Sequence, residues 1–222
     1  MAAVARRSFP PPPNAARALV LRAHPSSDSF NHALADQWVK GAREGGLSVE
    51  VIDIESLDFD PRLHVAYREQ QPLEPDLQRV QRAVAEAAHL VLAFPIWWGS
   101  TPAGLKGLID RVFLPGWAFR YDEQHRPVKG LTGRTARMLV TMDAPTWYDR
   151  VVYAASARRQ VGRATLGFSG YSPVRQSAFG SVGTSTPAQR DRMLVSARRA
   201  GEMDAAAVRR GFPVPRRPEP SA

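Results

Sequence analysis

The chain contains no cysteine. That absence removes disulfides, thiolate metal sites and cysteine nucleophiles, and leaves the compartment open. No apolar run approaches the roughly 20 residues a membrane helix needs, so stable membrane insertion is not expected. The N-terminus lacks the apolar stretch of a secretory signal, and a cytoplasmic location is the expectation. No G-x-G-x-x-G and no Walker sequence is present, so neither the dinucleotide fingerprint nor a P-loop is available for phosphate. No grouping of metal ligands stands out, and no metal is expected. Acidic residues are the scarcer charge: 21 Asp and Glu against 30 Lys and Arg, a formal charge of +9. The basic residues are dispersed and form no block interleaved with aromatics, so nucleic-acid binding is not expected.

What is present suits one α/β domain with a sizeable core: 222 residues, of which 44% are apolar. Residues 1–16 carry Pro10 to Pro13 and read as a disordered leader. Residues 211–222, with Pro213, Pro215, Pro218 and Pro220, read as a disordered tail. Between them, residues 17–210 alternate short apolar runs with helical periodicity. Strands are expected at 18–21, 49–54, 90–94, 136–141 and 174–179. Helices are expected at 31–44, 76–88, 102–113, 151–159 and 187–210. Fivefold strand–helix alternation predicts a doubly wound, five-stranded parallel sheet with helices on both faces. Ligands of such sheets bind beyond the carboxyl ends of the strands. The loops after the first, third and fourth strands are therefore the places to look for chemistry.

The first loop runs from Ala23-His24-Pro25 through Ser29-Phe30-Asn31. A helix N-terminus with small polar residues suits a phosphate; the plainer reading is an N-cap by Ser29 or Asp28. Asp28 would repel an anion and is expected to face outward. The second loop is Pro95-Ile96-Trp97-Trp98-Gly99-Ser100-Thr101-Pro102. In extended geometry two adjacent indoles cannot both face one core, so one is expected to line a cavity for a planar heteroaromatic ligand. Packing in the core or at a subunit interface is the alternative. The third loop, Thr141-Met142-Asp143-Ala144-Pro145-Thr146-Trp147-Tyr148, again puts polar and aromatic groups at a strand's end. An ordinary β–α turn with an aromatic staple would look the same.

At these loops the sequence resembles the NAD(P)H dehydrogenase (quinone) branch of the flavodoxin-like family. The resemblance is carried by His24 with Ser29-Phe30-Asn31 and Ala33-Leu34, then by Phe94-Pro95-Ile96-Trp97-Trp98. It continues through Pro102-Ala103, Leu105-Lys106-Gly107 and Asp110-Arg111-Val112-Phe113 to Trp117, Phe119, Tyr121 and Lys129-Gly130-Leu131. The third loop departs from the Thr-Thr-Gly-Gly-like version of better-studied members and resembles that of a bacterial NAD(P)H-dependent oxidoreductase subgroup.

The resemblance implies a flavodoxin-like fold holding non-covalent FAD or FMN, with NAD(P)H as donor, a quinone-like acceptor and a homodimer. It implies that His24, Ser29, Phe30 and Asn31 hold the phosphate end of the flavin. Pro95, Ile96, Trp97, Trp98 and Gly99 would flank the ring, with Thr141 opposite and Met142 and Asp143 in the same cofactor-binding loop. Phe119 and Tyr121 would wall the acceptor pocket. Trp147 and Tyr148, near the oxygen edge of the flavin, are the catalytic candidates. Two other readings are a non-catalytic flavin-binding regulatory subunit of a transport system and a one-electron carrier. The positive charge argues against the carrier.

Overall fold

A computed structural model describes residues 9–10, 14–66, 69 and 71–211. The disorder expected of residues 1–8, 11–13 and 212–222 concerns positions outside these. Of the leader, Pro10 is buried, and the Arg120 guanidinium lies over the Phe9 ring at 4.7 Å.

Among the described residues, seven strands and six helices follow in order. They are β1 (Asn14–Arg22), α1 (Phe30–Glu44), β2 (Ser48–Asp53), α2 (Pro75–Glu86), β3 (Ala87–Pro95) and α3 (Ala103–Val112). After them come β4 (Phe119–Tyr121), β5 (Pro127–Lys129), β6 (Thr135–Thr141), α4 (Thr146–Val151), α5 (Ser156–Arg159), β7 (Val174–Phe179) and α6 (Pro187–Arg209). The helix α5 continues as a π-wound segment over Gln160–Gly167. β1, β2, β3, β6 and β7 form one parallel sheet in the order β2-β1-β3-β6-β7. In this doubly wound order the direction of winding reverses between β1 and β3, which opens a crevice at their carboxyl ends.

Strand alternation builds a core on each face. Leu19, Leu21, Leu90, Leu92, Phe94, Met138 and Val140 pack against α2 and α3. Ala18, Val20, Val91, Ala93 and Leu139 pack against α1 and α6. Every residue of β3 is buried, as a central strand covered on both sides requires. The helices α1 and α6 approach backbone to backbone. A Cβ on Gly201 would stand 2.2 Å from the Trp38 carbonyl oxygen, and one on Gly41 would stand 2.1 Å from that of Arg198. Glycine at both positions is what permits this layer to close.

Two buried ionic arrangements fix the frame. Arg111 of α3 bonds Glu74 at 2.8 and 3.1 Å and the Pro72 carbonyl at 2.7 Å, pinning the long connection between β2 and α2. On the opposite layer, Asp204 of α6 is fully buried. It accepts from Trp38 Nε1 at 3.0 Å and from both Arg137 Nε and Arg137 Nη2, and His89 Nε2 lies 3.4 Å away.

The expected helix at 151–159 is not continuous. α4 ends at Val151, and Ala154 and Ala155 take left-handed conformations with φ of 49° and 51°. The break lets Arg158 fold back onto Asp149 at 2.7 and 2.9 Å, while the Ala155 N–H bonds the Asp149 carbonyl. A tertiary ion pair overrides the helical preference of the two alanines. The β4–β5 hairpin is an addition that the sequence pattern did not reveal, because each strand has only three residues.

Candidate functional site

The carboxyl ends of β1, β3 and β6 lie level. The Ala23 N–H donates to the Ala93 carbonyl at 2.8 Å, and the Ile96 N–H donates to the Thr141 carbonyl at 2.8 Å. Their loops then meet. The His24 ring stands edge-on to the Trp97 indole, centroids 5.6 Å apart, and Asn31 Nδ2 donates to the Thr141 hydroxyl at 3.2 Å. His24, Trp97 and Thr141 thus share one rim.

In the first loop, Ser29 caps α1 by accepting the His32 N–H at 3.2 Å. The first turn of α1 holds no acidic residue, so the positive end of the helix is left uncompensated. Asp28 is exposed and accepts from the Ser26 hydroxyl. His24 Nδ1 accepts the Ser26 N–H at 3.0 Å. The same Nδ1 lies 3.2 Å from the Ser26 carbonyl oxygen. His32 is 3% exposed, and neither of its ring nitrogens makes a hydrogen bond. Burial, reinforced by the Arg22 guanidinium, holds its pKa below the usual histidine value. Asn31 Oδ1 and Thr101 Oγ1 are also buried without a partner. An orphaned buried polar atom costs about 1–3 kcal/mol, so such a concentration at one rim marks a place shaped for a polar ligand edge.

The second loop is not extended. Trp98 and Gly99 have φ of 51° and 69° and form the two central residues of a tight turn. That turn is closed by Trp97 N–H to Ser100 O at 3.0 Å and by Ser100 N–H to Trp97 O at 2.9 Å. A bulky residue in the left-handed region is a strained outlier, and such outliers concentrate at functional sites. The turn corrects the extended reading of the two tryptophans. Neither indole enters the core: Trp97 is 44% exposed and Trp98 stands fully in solvent. Pro95 is buried, Ile96 is half-buried, and the Gly99 carbonyl accepts the Ser156 hydroxyl at 2.8 Å.

In the third loop, Thr141 is buried and faces Asn31. Met142 turns into the core, and both its backbone groups are engaged, by Phe179 at 3.0 Å and Val182 at 3.2 Å. The Asp143 carboxylate accepts the Gly183 N–H at 3.0 Å, which ties this loop to the turn after β7. Trp147 and Tyr148 sit on the first turn of α4, with rings 5.7 Å apart. Tyr153 extends the row, 5.4 Å from Tyr148 and beside Gly99. Tyr153 was not singled out from the sequence. The broken helix brings it to the rim, and no periodicity announces that break.

Phe119 and Tyr121 form a separate aromatic pair. They sit on β4, their rings 5.9 Å from each other, with Phe168 4.9 Å from Phe119. Among the described residues, neither makes a ring contact with Trp97, Trp98, Trp147 or Tyr148.

Comparison with known proteins places this geometry in context. NAD(P)H dehydrogenase (quinone) 1 of Cavia porcellus is 33% identical over 126 residues, 47% of this chain and 46% of that protein. The uncharacterized NAD(P)H oxidoreductase YcaK of Escherichia coli strain K12 is 33% identical over 118 residues, 50% of this chain and 58% of that protein. The chain therefore spans about half the length of the curated relatives it matches. The solved structure of NAD(P)H:quinone oxidoreductase from Methanothermobacter marburgensis superposes with a TM-score of 0.71 at 25% identity, covering 84% of this chain and 94% of that one. The Flavodoxin_2 family model, described as a flavodoxin-like fold, matches residues 16–200. With that match over most of its length, and with the sheet order and crevice described above, the chain belongs to the flavodoxin-like Flavodoxin_2 family.

Proposed function

We propose that this protein is a flavin-dependent NAD(P)H oxidoreductase that passes two electrons to a quinone-like acceptor by ping-pong turnover. One observation carries the reading: buried polar atoms without partners and solvent-facing indoles meet at the crevice of a doubly wound sheet. A flat ring with a polar edge and a phosphate tail matches both.

The residues present fit an FAD or FMN. The α1 N-terminus, with Asn31 and the imidazole of His24, would hold the phosphate end. The Ser29 hydroxyl serves the helix cap and its N–H donates to the Ser26 carbonyl, so its part is to fix the α1 N-terminus. Trp97 would wall the ring. Among the described residues the Trp98 and Gly99 N–H groups make no backbone hydrogen bond, and they would meet its polar edge. Thr141, bonded to Asn31, would close the opposite side. Bound there, the flavin supplies the two-electron chemistry. Trp147, Tyr148 and Tyr153 would exclude water from the exposed face and orient the donor and acceptor, which use one pocket in turn. Phe119 and Tyr121, a separate aromatic pair within one protomer, would complete the acceptor wall of a second copy in a homodimer.

Among the described residues no helix is long and apolar enough to cross a membrane. The test is direct. Purified protein is denatured, and the released chromophore is identified by mass. The native protein is assayed with NAD(P)H and a soluble quinone. A colourless protein that neither FMN nor FAD can load overturns the reading. Intersecting double-reciprocal lines overturn the shared pocket alone.

A further inference from the structure

Away from the rim, a shallow, largely open depression of about 810 Å3 lies between the π-wound segment and the β4–β5 hairpin. Lys129, Arg159 and Arg163 line it together with Gln160, Ala164 and Phe168, and no carboxylate is among the lining residues. The three cations are exposed and form no ion pair among the described residues. The contrast with the adjacent arginine is sharp: Arg158 is held by Asp149 and Gln176, while Arg159 is held by neither. Arg159, the last residue of α5, and Arg163, in the π-wound segment that continues it, are four residues apart, which puts them on about the same side. That winding is of the π type, a form found disproportionately at functional sites. Three like charges left without counter-charges repel one another and lower the cost of taking up an anion.

We propose that this cleft binds an amphipathic anion. A planar aromatic body would sit on Phe168 and Ala164, with a phosphate or sulfonate held by Arg159, Arg163 and Lys129. Guanidinium groups suit these tetrahedral anions through paired N–H donors. The cleft has the size of a small-molecule site. Phe168 also touches Phe119, so the cleft adjoins the wall assigned above to the acceptor pocket. The binding claim does not depend on the flavin reading. Under that reading, the anion is either the phosphate-bearing end of the donor or a negatively charged aromatic acceptor.

The experiment is calorimetric titration of the purified full-length protein with 2′,5′-ADP and, separately, 1,4-naphthoquinone-2-sulfonate. Adenosine and 1,4-naphthoquinone serve as neutral controls. The expected result is binding of at least one anion, tighter than its neutral control and weakened by salt. The double variant Arg159→Gln/Arg163→Gln should weaken it by about tenfold or more, and Lys129→Gln by less. The tighter arm identifies the source of the anion. Binding of neither anion, or unchanged affinity in the double variant, overturns the proposal. These side chains are exposed, so far-UV circular dichroism of the variants should match the parent. The visible spectrum of the same samples reads the flavin assignment separately, so either claim can fail without the other.

Discussion

Asn31 Nδ2 donates to the Thr141 hydroxyl at 3.2 Å, joining the first turn of α1 to the end of β6, while Asn31 Oδ1 stays buried with no partner. One amide thus ties two loops together and leaves a buried acceptor unpaired. Asn31→Asp removes the donor and places a negative charge where the phosphate end would lie. Flavin affinity should fall by about tenfold or more, equivalent to roughly 1.4 kcal/mol. Fluorescence titration of the apoprotein with FMN and FAD measures it. Unchanged affinity would remove Asn31 from the site.

The two tryptophans should separate. Trp97 packs on His24, whereas Trp98 touches no ring among the described residues and is fully exposed. Trp97→Ala should lose flavin on gel filtration. In the ligand-free protein, Trp98→Ala should leave the denaturation midpoint within about 0.5 kcal/mol of the parent.

The acid limb of stability should be set by Asp204. Burial alone would raise the carboxyl pKa, but the hydrogen-bonded Arg137 guanidinium and the adjacent His89 outweigh it and hold the group well below the usual carboxylate range. A carboxylate depressed on folding contributes stability that is complete above its unfolded pKa of about 3.9 and is lost as pH falls below it. Denaturation followed from pH 7 to 2 should therefore show a steep loss below about pH 4. Asp204→Asn should flatten that limb and cost about 3 kcal/mol or more at pH 7, because it leaves Arg137 buried and uncompensated.

His32 should act at higher pH. Its pKa is lowered on folding, so the unfolded chain binds the proton more readily and stability declines as pH falls below the ordinary histidine value of about 6.5. In His32→Gln, stability should be flatter between about pH 6.5 and 5 than in the parent. An identical slope would show that His32 does not set it.

Gly201→Ala tests the helix layer. In an open helix the change stabilises by nearly 1 kcal/mol. Here the new methyl would meet the Trp38 carbonyl oxygen at 2.2 Å, so the sign should reverse. A loss of about 1–3 kcal/mol by urea denaturation is expected.

Much of this was legible in the linear chain. Leu90 to Phe94 read as a fully buried strand because an uninterrupted apolar run at the centre of a sheet is covered on both faces. Ser29 read as a cap because a hydroxyl before a helical period has one obvious acceptor role. Other features were not legible. Trp97-Trp98 read as extended because no local rule places a bulky residue at the positive-φ position of a tight turn. The bond from the Gly183 amide to the Asp143 carboxylate, 40 residues apart, has no local signature either.

The sequence by itself determined the alternation of strands and helices, the two-sided burial of the sheet and the three loops worth inspecting, since these depend on periodicity and neighbouring side chains. Only the tertiary structure decided which charges are neutralised and which are left open. Asp204 meets Arg137 and His89, and Asp149 meets Arg158, whereas Arg159 and Arg163 meet no carboxylate among the described residues. The physical reason is distance: a charge pair forms or fails according to which strands lie side by side, and no local pattern encodes that order.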